Sequence, residues 1–274
     1  MRPLLDWPEA DRRQIIGVFT DIDDTLTTEG AVPQSTVSAL AALKAAGLHV
    51  IPITGRPVGW SEPFAAAWPV DAIVAENGAV ALSFRNQKCA FGNTDKPGAL
   101  SKIYQQDAAT RAGNFARMQA VAARIVREVP GAMVSQDSVG RETDIAIDHS
   151  EFTHLPSDQI AQVVQIMQSE GMNATVSSIH INGWFGDHNK LAGARWIVWA
   201  LFGRDLSLEM DRWVYVGDST NDQLMFEAFA HSVGVANIRR FESELTHLPR
   251  YITPSERGQG FEEFAQALST LATQ

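Results

Sequence analysis

Residues 15–20 form a short apolar, partly β-branched run that breaks abruptly into an acidic cluster and a turn. Such a run predicts a buried strand ending in a loop. After Pro33, Ser35 or Thr36 is placed to cap a helix with Val37, Leu40 and Leu43 on its apolar face, and Gly47 is placed to end it. Residues 48–53 read as the next strand, 58–68 as a helix and 71–75 as a strand. Strands alternating with helices predict an α/β fold with a doubly wound parallel sheet.

The order then changes. Over residues 82–186 the pattern is a short strand, a polar loop rich in Gly, Asn and Lys, a long helix at 111–129 and a strand at 143–147. A helix after Ser157 follows, with Ile160, Val163, Val164 and Met167 at amphipathic spacing, and then a strand at 174–181. This predicts an inserted α+β cap over residues 83–187. Beyond it the alternation resumes, with a helix from Lys190, a strand at 213–216, a helix at 222–230, strands at 233–235 and 250–253, and a closing helix from Phe261. The core is therefore expected to be discontinuous, residues 1–82 and 188–274. No internal repeat or low-complexity tract interrupts it.

Composition narrows the function classes. A chain of 274 residues with 45% hydrophobic content can bury a large core. The net charge of −10 opposes a broad footprint for nucleic acid or an anionic membrane, so an anionic substrate needs a local cation. The single cysteine, Cys89, leaves no intrachain disulfide or thiolate metal cluster and suits a cytoplasmic protein. As a lone thiol it reads as chemically bland. The N-terminal segment lacks the apolar core of a signal peptide, and no stretch approaches the ~20 apolar residues of a membrane span. The seven tryptophans read as core more readily than as interface. No oligomeric state follows from the sequence.

Two loops carry the candidate chemistry. Asp21-Ile22-Asp23-Asp24-Thr25-Leu26 follows the first strand, and Val216-Gly217-Asp218-Ser219-Thr220-Asn221-Asp222 ends a later one. Ligands of open α/β sheets bind at the carboxyl ends of the strands, where both loops lie. Asp21 and Asp23, two apart in extended chain, share a face. Carboxylates about 4 Å apart repel by roughly 4 kcal/mol at an effective dielectric near 20, which calls for a proton or a cation. If the two strands are parallel neighbours, Asp218 and Asp222 approach Asp21 and Asp23 and build a hard oxygen site suited to Mg²⁺. Taken singly, any of these aspartates reads more readily as a helix cap or a solvated loop residue.

These loops resemble the first and fourth signature motifs of the haloacid dehalogenase superfamily. Ile51-Pro52-Ile53-Thr54-Gly55-Arg56 resembles its second motif, and Lys190 in Asp187-His188-Asn189-Lys190 falls where its third-motif lysine does. The insert sits where that superfamily's C2 caps are placed, and Ala75-Glu76-Asn77-Gly78-Ala79 resembles a loop common in that class. In arrangement the chain is similar to the subgroup (Cof-like, IIB) that includes sucrose-phosphate and mannosyl-3-phosphoglycerate phosphatases.

The resemblance implies a phosphomonoester hydrolase in which Asp21 is transiently phosphorylated and Asp23 serves as general acid and then base. Mg²⁺ would be held by Asp21, Asp218 and the backbone carbonyl of Asp23, with Asp222 supporting it, and Thr54, Lys190 and Asn221 would bind the phosphoryl oxygens. Asp24 and Thr25 read as loop-shaping residues. Arg56 and Asn77 are candidate substrate contacts. In the insert, alternation places His180, Asn182 and Trp184 on one face, where an aromatic with polar donors suits a sugar, while Arg141 and Glu142 resemble substrate-contacting cap positions. A cap over the site favours a small phosphorylated metabolite, with a sugar phosphate foremost. Rival readings are a sugar phosphomutase or phosphotransferase, a non-catalytic sugar-phosphate sensor and a receiver-like module.

Overall fold

A computed structural model of the chain describes residues 1–84 and 100–270. Cys89 and the Gly/Asn/Lys-rich loop lie outside the described residues. The first part of the chain forms β1 (Arg2–Pro3), α1 (Glu9–Arg12), β2 (Gly17–Thr20), α2 (Gln34–Ala45), β3 (His49–Pro52) and α3 (Val58–Ala67). At the start of α2 the sequence expectation fails in one detail. Pro33 occupies the capping position with no side-chain bond, while Thr36 is buried and its hydroxyl donates to Glu262 at 3.0 Å. A proline at a helix entry sets the backbone angle by itself, which releases the hydroxyls for tertiary contacts. Gly47 ends the turn after α2 at φ +82°, a conformation glycine adopts without strain.

β4 (Ile73–Ala75), β5 (Val80–Phe84) and β6 (Leu100–Tyr104) form an antiparallel sheet, linked to the end of β3 by one bridge between Ile53 and Val74. β6 falls inside the stretch read as a polar loop. Its strand character comes from pairing with β5, a partner distant enough in sequence to leave no local signal. The expected start of the insert, residue 83, lies within β5.

The insert continues with α4 (Ala108–Glu128), β7 (Met133–Val134), β8 (Ile145–Asp148), α5 (Ser157–Ser169), β9 (Asn173–Val176) and β10 (His180–Trp184). Its antiparallel sheet runs β7-β8-β10-β9. α4 and α5 cover one face, with Met118, Ile125, Val163 and Met167 packed against Ile147 and Ile181. The predicted single strand at 174–181 is in fact two. Ser177 makes the turn between them, its Oγ accepting from the His180 N–H at 3.0 Å, a local bond that competes with straight strand.

The chain returns through α6 (Lys190–Phe202), β11 (Trp213–Gly217), α7 (Gln223–Ala228), β12 (His231–Gly234), β13 (Tyr251–Ile252) and α8 (Arg257–Ser269). All neighbours in the six-stranded sheet β1-β13-β12-β11-β2-β3 are parallel. Val18, Val50 and Val214 point to one face, under Leu40, Leu43, Phe261 and Phe264 of α2 and α8. Phe19, Ile51, Trp213 and Tyr215 point to the other, under Ile197 and Val198 of α6 and Met225 and Phe226 of α7. Helices on both faces explain why these strands read as continuous apolar runs. Among the described residues no helix is long and apolar enough to cross a membrane.

Candidate active site

β2 and β11 pair in parallel with Thr20 opposite Val216, so both acidic loops leave the sheet at the same edge, and the Asp21 N–H donates to the Val216 carbonyl at 2.8 Å. One oxygen from each of Asp21, Asp218 and Asp222 can be chosen so that all three lie within 4.8 Å of one another, and all three residues are buried. Lys190, the first residue of α6, places its ammonium 3.0 Å from Asp21 Oδ1 and 2.7 Å from Asp222 Oδ1. The site thus carries three carboxylates against one ammonium.

The Asp21 carboxyl is raised to about 7, chiefly by burial and then by Asp222 and Asp23, against the pull of Lys190. Asp218 is raised well above the usual carboxylate range by burial, then by Asp21 and Asp222. Burial works against the Lys190 charge, but Asp21 and Asp222 outweigh it and hold the ammonium firmly protonated. Crowded, buried negative charge of this kind favours either protons or a hard cation.

Asp222 is committed to structure. Its Oδ2 accepts from the backbone N–H groups of Asp218 at 2.9 Å and Ser219 at 3.2 Å, while its Oδ1 receives Lys190 and the Tyr215 hydroxyl. It thereby shapes the loop and anchors the lysine. Asp218 accepts from Asn237 Nδ2 at 2.9 Å, and that amide also donates to the Asp24 carbonyl at 3.0 Å, tying the two acidic loops together. Asp24 sits at φ 53° with its carboxylate 3.1 Å from Arg257 Nε, so it shapes the loop. Thr25 Oγ1 lies 3.4 Å from Asp218 Oδ1. Thr54, fully buried at the end of β3, accepts from the Arg56 N–H at 3.0 Å. Asn221 faces a cavity of about 290 Å³ that Lys190, Asn77, Trp184 and His188 also line.

Asp23 stands apart from the acidic triad. Its carboxylate meets Arg56 Nε at 2.9 and 3.0 Å. Arg56 also reaches Asp137 and Glu151 of the insert, and so bridges the two parts of the protein. Arg141 donates to the Gly55 carbonyl at 2.9 Å and pairs with Asp144 at 2.8 Å. Asn182 donates to Asp144 Oδ2 at 2.9 Å, Asn77 lies at 3.5 Å from the same oxygen, and His180 meets Glu151 at 2.8 Å. Glu142 turns away, toward Lys102 at 2.9 Å and the Tyr104 hydroxyl at 2.6 Å. The structure therefore gathers Arg56, Asn77, Arg141, His180 and Asn182 at the junction of core and cap and leaves Glu142 outside it.

Several residues of this network lack a sequence signal. Tyr215 reads as one more apolar strand residue, and Asn237, Asp137, Asp144 and Glu151 belong to no motif. Glu76 lies inside a recognised loop but its task is visible only in space. It is fully buried at φ 49° and accepts from the N–H groups of Val58 at 2.9 Å, Glu142 at 3.0 Å and Thr143 at 2.5 Å, and from the Thr143 hydroxyl. Next to it Gly78, at φ +107°, packs so closely on α6 that a Cβ would stand 2.3 Å from the Asn189 carbonyl oxygen, which seats the residue before Lys190. Glu76→Gln replaces one acceptor with a donor facing donors. It is expected to cost about 2–3 kcal/mol in urea unfolding; a change below about 0.5 kcal/mol would show that the carboxylate does not hold the cap loop.

The sequence profile of the haloacid dehalogenase-like hydrolases matches residues 18–122. No curated protein sequence matches the chain. Among solved structures, a protein of Thermoplasma acidophilum superposes with a TM-score of 0.67 at 15% identity, covering 94% of this chain and 99% of its own. The sucrose-phosphatase of Synechocystis in complex with sucrose and phosphate gives 0.63 at 15% identity, covering 94% and 98%. The C-terminal domain of the C. albicans trehalose-6-phosphate phosphatase gives 0.67 at 13% identity, covering 99% of both chains. The family match spans the first acidic loop and the fold match nearly the whole length, so this chain is similar to the haloacid dehalogenase-like hydrolases over residues 18–122 and shares the fold of these solved structures.

Proposed function

We propose that the protein is a Mg²⁺-dependent phosphomonoesterase that removes phosphate from a small phosphorylated sugar through an aspartyl-phosphate on Asp21. The observation that carries this reading is the placement of Asp21, buried at a strand end between Lys190 and a carboxylate cluster with an excess of negative charge. The carboxylate oxygens of Asp21 and Asp218 in that cluster suit a hard divalent cation. Asp21 and Asp218 would hold it, while Asp222, already fully bonded, would keep the loop and Lys190 in place. When bound, the ion supplies charge neutralisation between nucleophile and phosphate.

The Asp21 carboxylate attacks phosphorus, and the bond from phosphorus to the leaving oxygen breaks as Asp23 gives that oxygen its proton. Water then attacks the aspartyl-phosphate and gives its proton to Asp23, the bond from Asp21 to phosphorus breaks, and orthophosphate leaves. Lys190, Thr54 and Asn221 stabilise the phosphoryl oxygens as charge develops on them. The cavity beside Lys190, lined by the amides of Asn77 and Asn221 and the ring of Trp184, suits a hydroxyl-rich leaving group. The sugar-phosphatase names of two structural neighbours point the same way.

The test is orthophosphate release across a panel of sugar phosphates, phosphorylated sugar acids and nucleotides. Release from a narrow set of sugar phosphates, abolished by EDTA and restored by Mg²⁺, is the expected result. Full release in chelator would overturn the metal assignment, and no release from any compound would overturn the phosphatase.

A further inference from the structure

Arg56 is the one side chain that touches both Asp23 and the cap through ion pairs among the described residues. Its guanidinium is nearly sealed from solvent, 7% exposed, and lies over the Trp60 ring with 5.1 Å to the centroid. The Nε edge faces Asp23, Nη1 meets Asp137 at 3.3 Å and Nη2 meets Glu151 at 2.9 Å. Both cap carboxylates are themselves held. Asp137 accepts from the Ser135 hydroxyl at 2.7 Å and from Arg141 at 3.2 Å, and Glu151 meets His180 Nε2 at 2.8 Å. Arg141 returns to the core at the Gly55 carbonyl, one residue before Arg56.

A guanidinium is a rigid planar fork, so fixing its two terminal nitrogens also fixes the direction of its Nε edge. With the cap seated, the cap dictates the plane of Arg56 and Arg56 dictates the orientation of Asp23. With the cap raised, two of the three carboxylates depart and the side chain regains its rotamers. We propose that Arg56, Asp137 and Glu151 form a positioning relay that makes proton delivery by Asp23 conditional on cap closure. Arg56 is thus a positioning residue, with each of its three nitrogens meeting one of the three carboxylates. The inference rests on the proposed phosphatase reaction and on Asp23 as its acid.

An acid matters in proportion to the basicity of the leaving group, so the relay has a signature that loss of packing lacks. The experiment measures kcat/KM with Mg²⁺ for aryl phosphates graded from p-nitrophenyl to p-methoxyphenyl, in wild type, Arg56→Lys, Asp137→Asn and Glu151→Gln, with a thermal melt for each. The wild type is expected to show little dependence on leaving-group basicity. The variants are expected to lose about tenfold or more additional kcat/KM on the most basic leaving group relative to p-nitrophenyl phosphate. The two cap variants are isosteric amides and keep the test open if the arginine variant unfolds. A uniform loss across the series, or no loss, would overturn the relay while leaving the phosphatase standing. Absence of any release by the wild type would remove the parent reading, and the relay with it.

Discussion

Asp21→Asn is expected to abolish orthophosphate release, by at least about 10⁴-fold, while leaving the protein folded and as stable as the wild type in metal-free buffer above neutral pH. The loss of turnover follows from chemistry, because an amide cannot form the acyl phosphate and the other carboxylate on Lys190, Asp222, is committed to the Tyr215 hydroxyl and two backbone N–H groups. The stability half follows from charge. Burial raises the Asp21 carboxyl from 3.8 to about 7, so the folded state binds a proton that the unfolded chain has released. Its contribution is complete below the unfolded value and is lost as pH rises through about 7, above which an ionised Asp21 stands near Asp218 and Asp222. The asparagine carries no such cost and keeps an oxygen for Lys190. Relative to wild type it should gain as pH goes from 5.5 to 8 in EDTA, by a few kcal/mol at most, and Mg²⁺ should raise the wild-type melting temperature more than the variant's. Residual wild-type turnover in the variant would end the nucleophile assignment. A variant that melts well below wild type at pH 8 would show that the carboxylate stabilises the fold.

Lys190→Met is expected to act in the opposite direction on stability. The ammonium is 3% exposed and is the cation that Asp21 and Asp222 share, so its removal leaves buried carboxylates facing one another. Breaking a buried ion pair from one side costs about 3–5 kcal/mol, which for a chain of this size is roughly a 10 °C fall in melting temperature. Without Lys190 the carboxylates bind protons more readily still, so the deficit should shrink as pH falls from 8 to 6 and should shrink again when Mg²⁺ is added. Melting curves in EDTA and in Mg²⁺ at the two pH values check this. An unchanged melting temperature would mean that the carboxylates are already protonated or well solvated, and the electrostatic account of the site would fail.

Both predictions concern residues visible in the sequence, whereas their stability signs come from the fold. Apolar runs ending in acidic turns mark β2 and β11 without any coordinates, since strands covered on both faces must be apolar and their carboxyl-end loops are free to be polar. Lys190 is placed by its position in motif order and by the helix that begins there. Where a local pattern is read through, the sequence misleads. The segment 174–181 looks like one strand because its β-propensity is continuous, yet Ser177 turns it. Residues 100–104 look like loop because their partner is supplied by β5.

The chain alone thus determined the alternating core with its insert and singled out Asp21, Asp23, Thr54, Lys190, Asp218 and Asp222 as candidates, because hydrophobic period, strand-end chemistry and motif order are properties of the sequence. Tertiary structure alone decided how the charges are shared. It separated Asp23 from the acidic triad and gave it to Arg56, committed Asp222 to Lys190, Tyr215 and two backbone amides, and sent Glu142 outward to Lys102. The ion pairs among these join residues 32 to 40 positions apart, and a buried charge takes whichever opposite charge or donor the packing brings within about 3 Å, which no local pattern encodes.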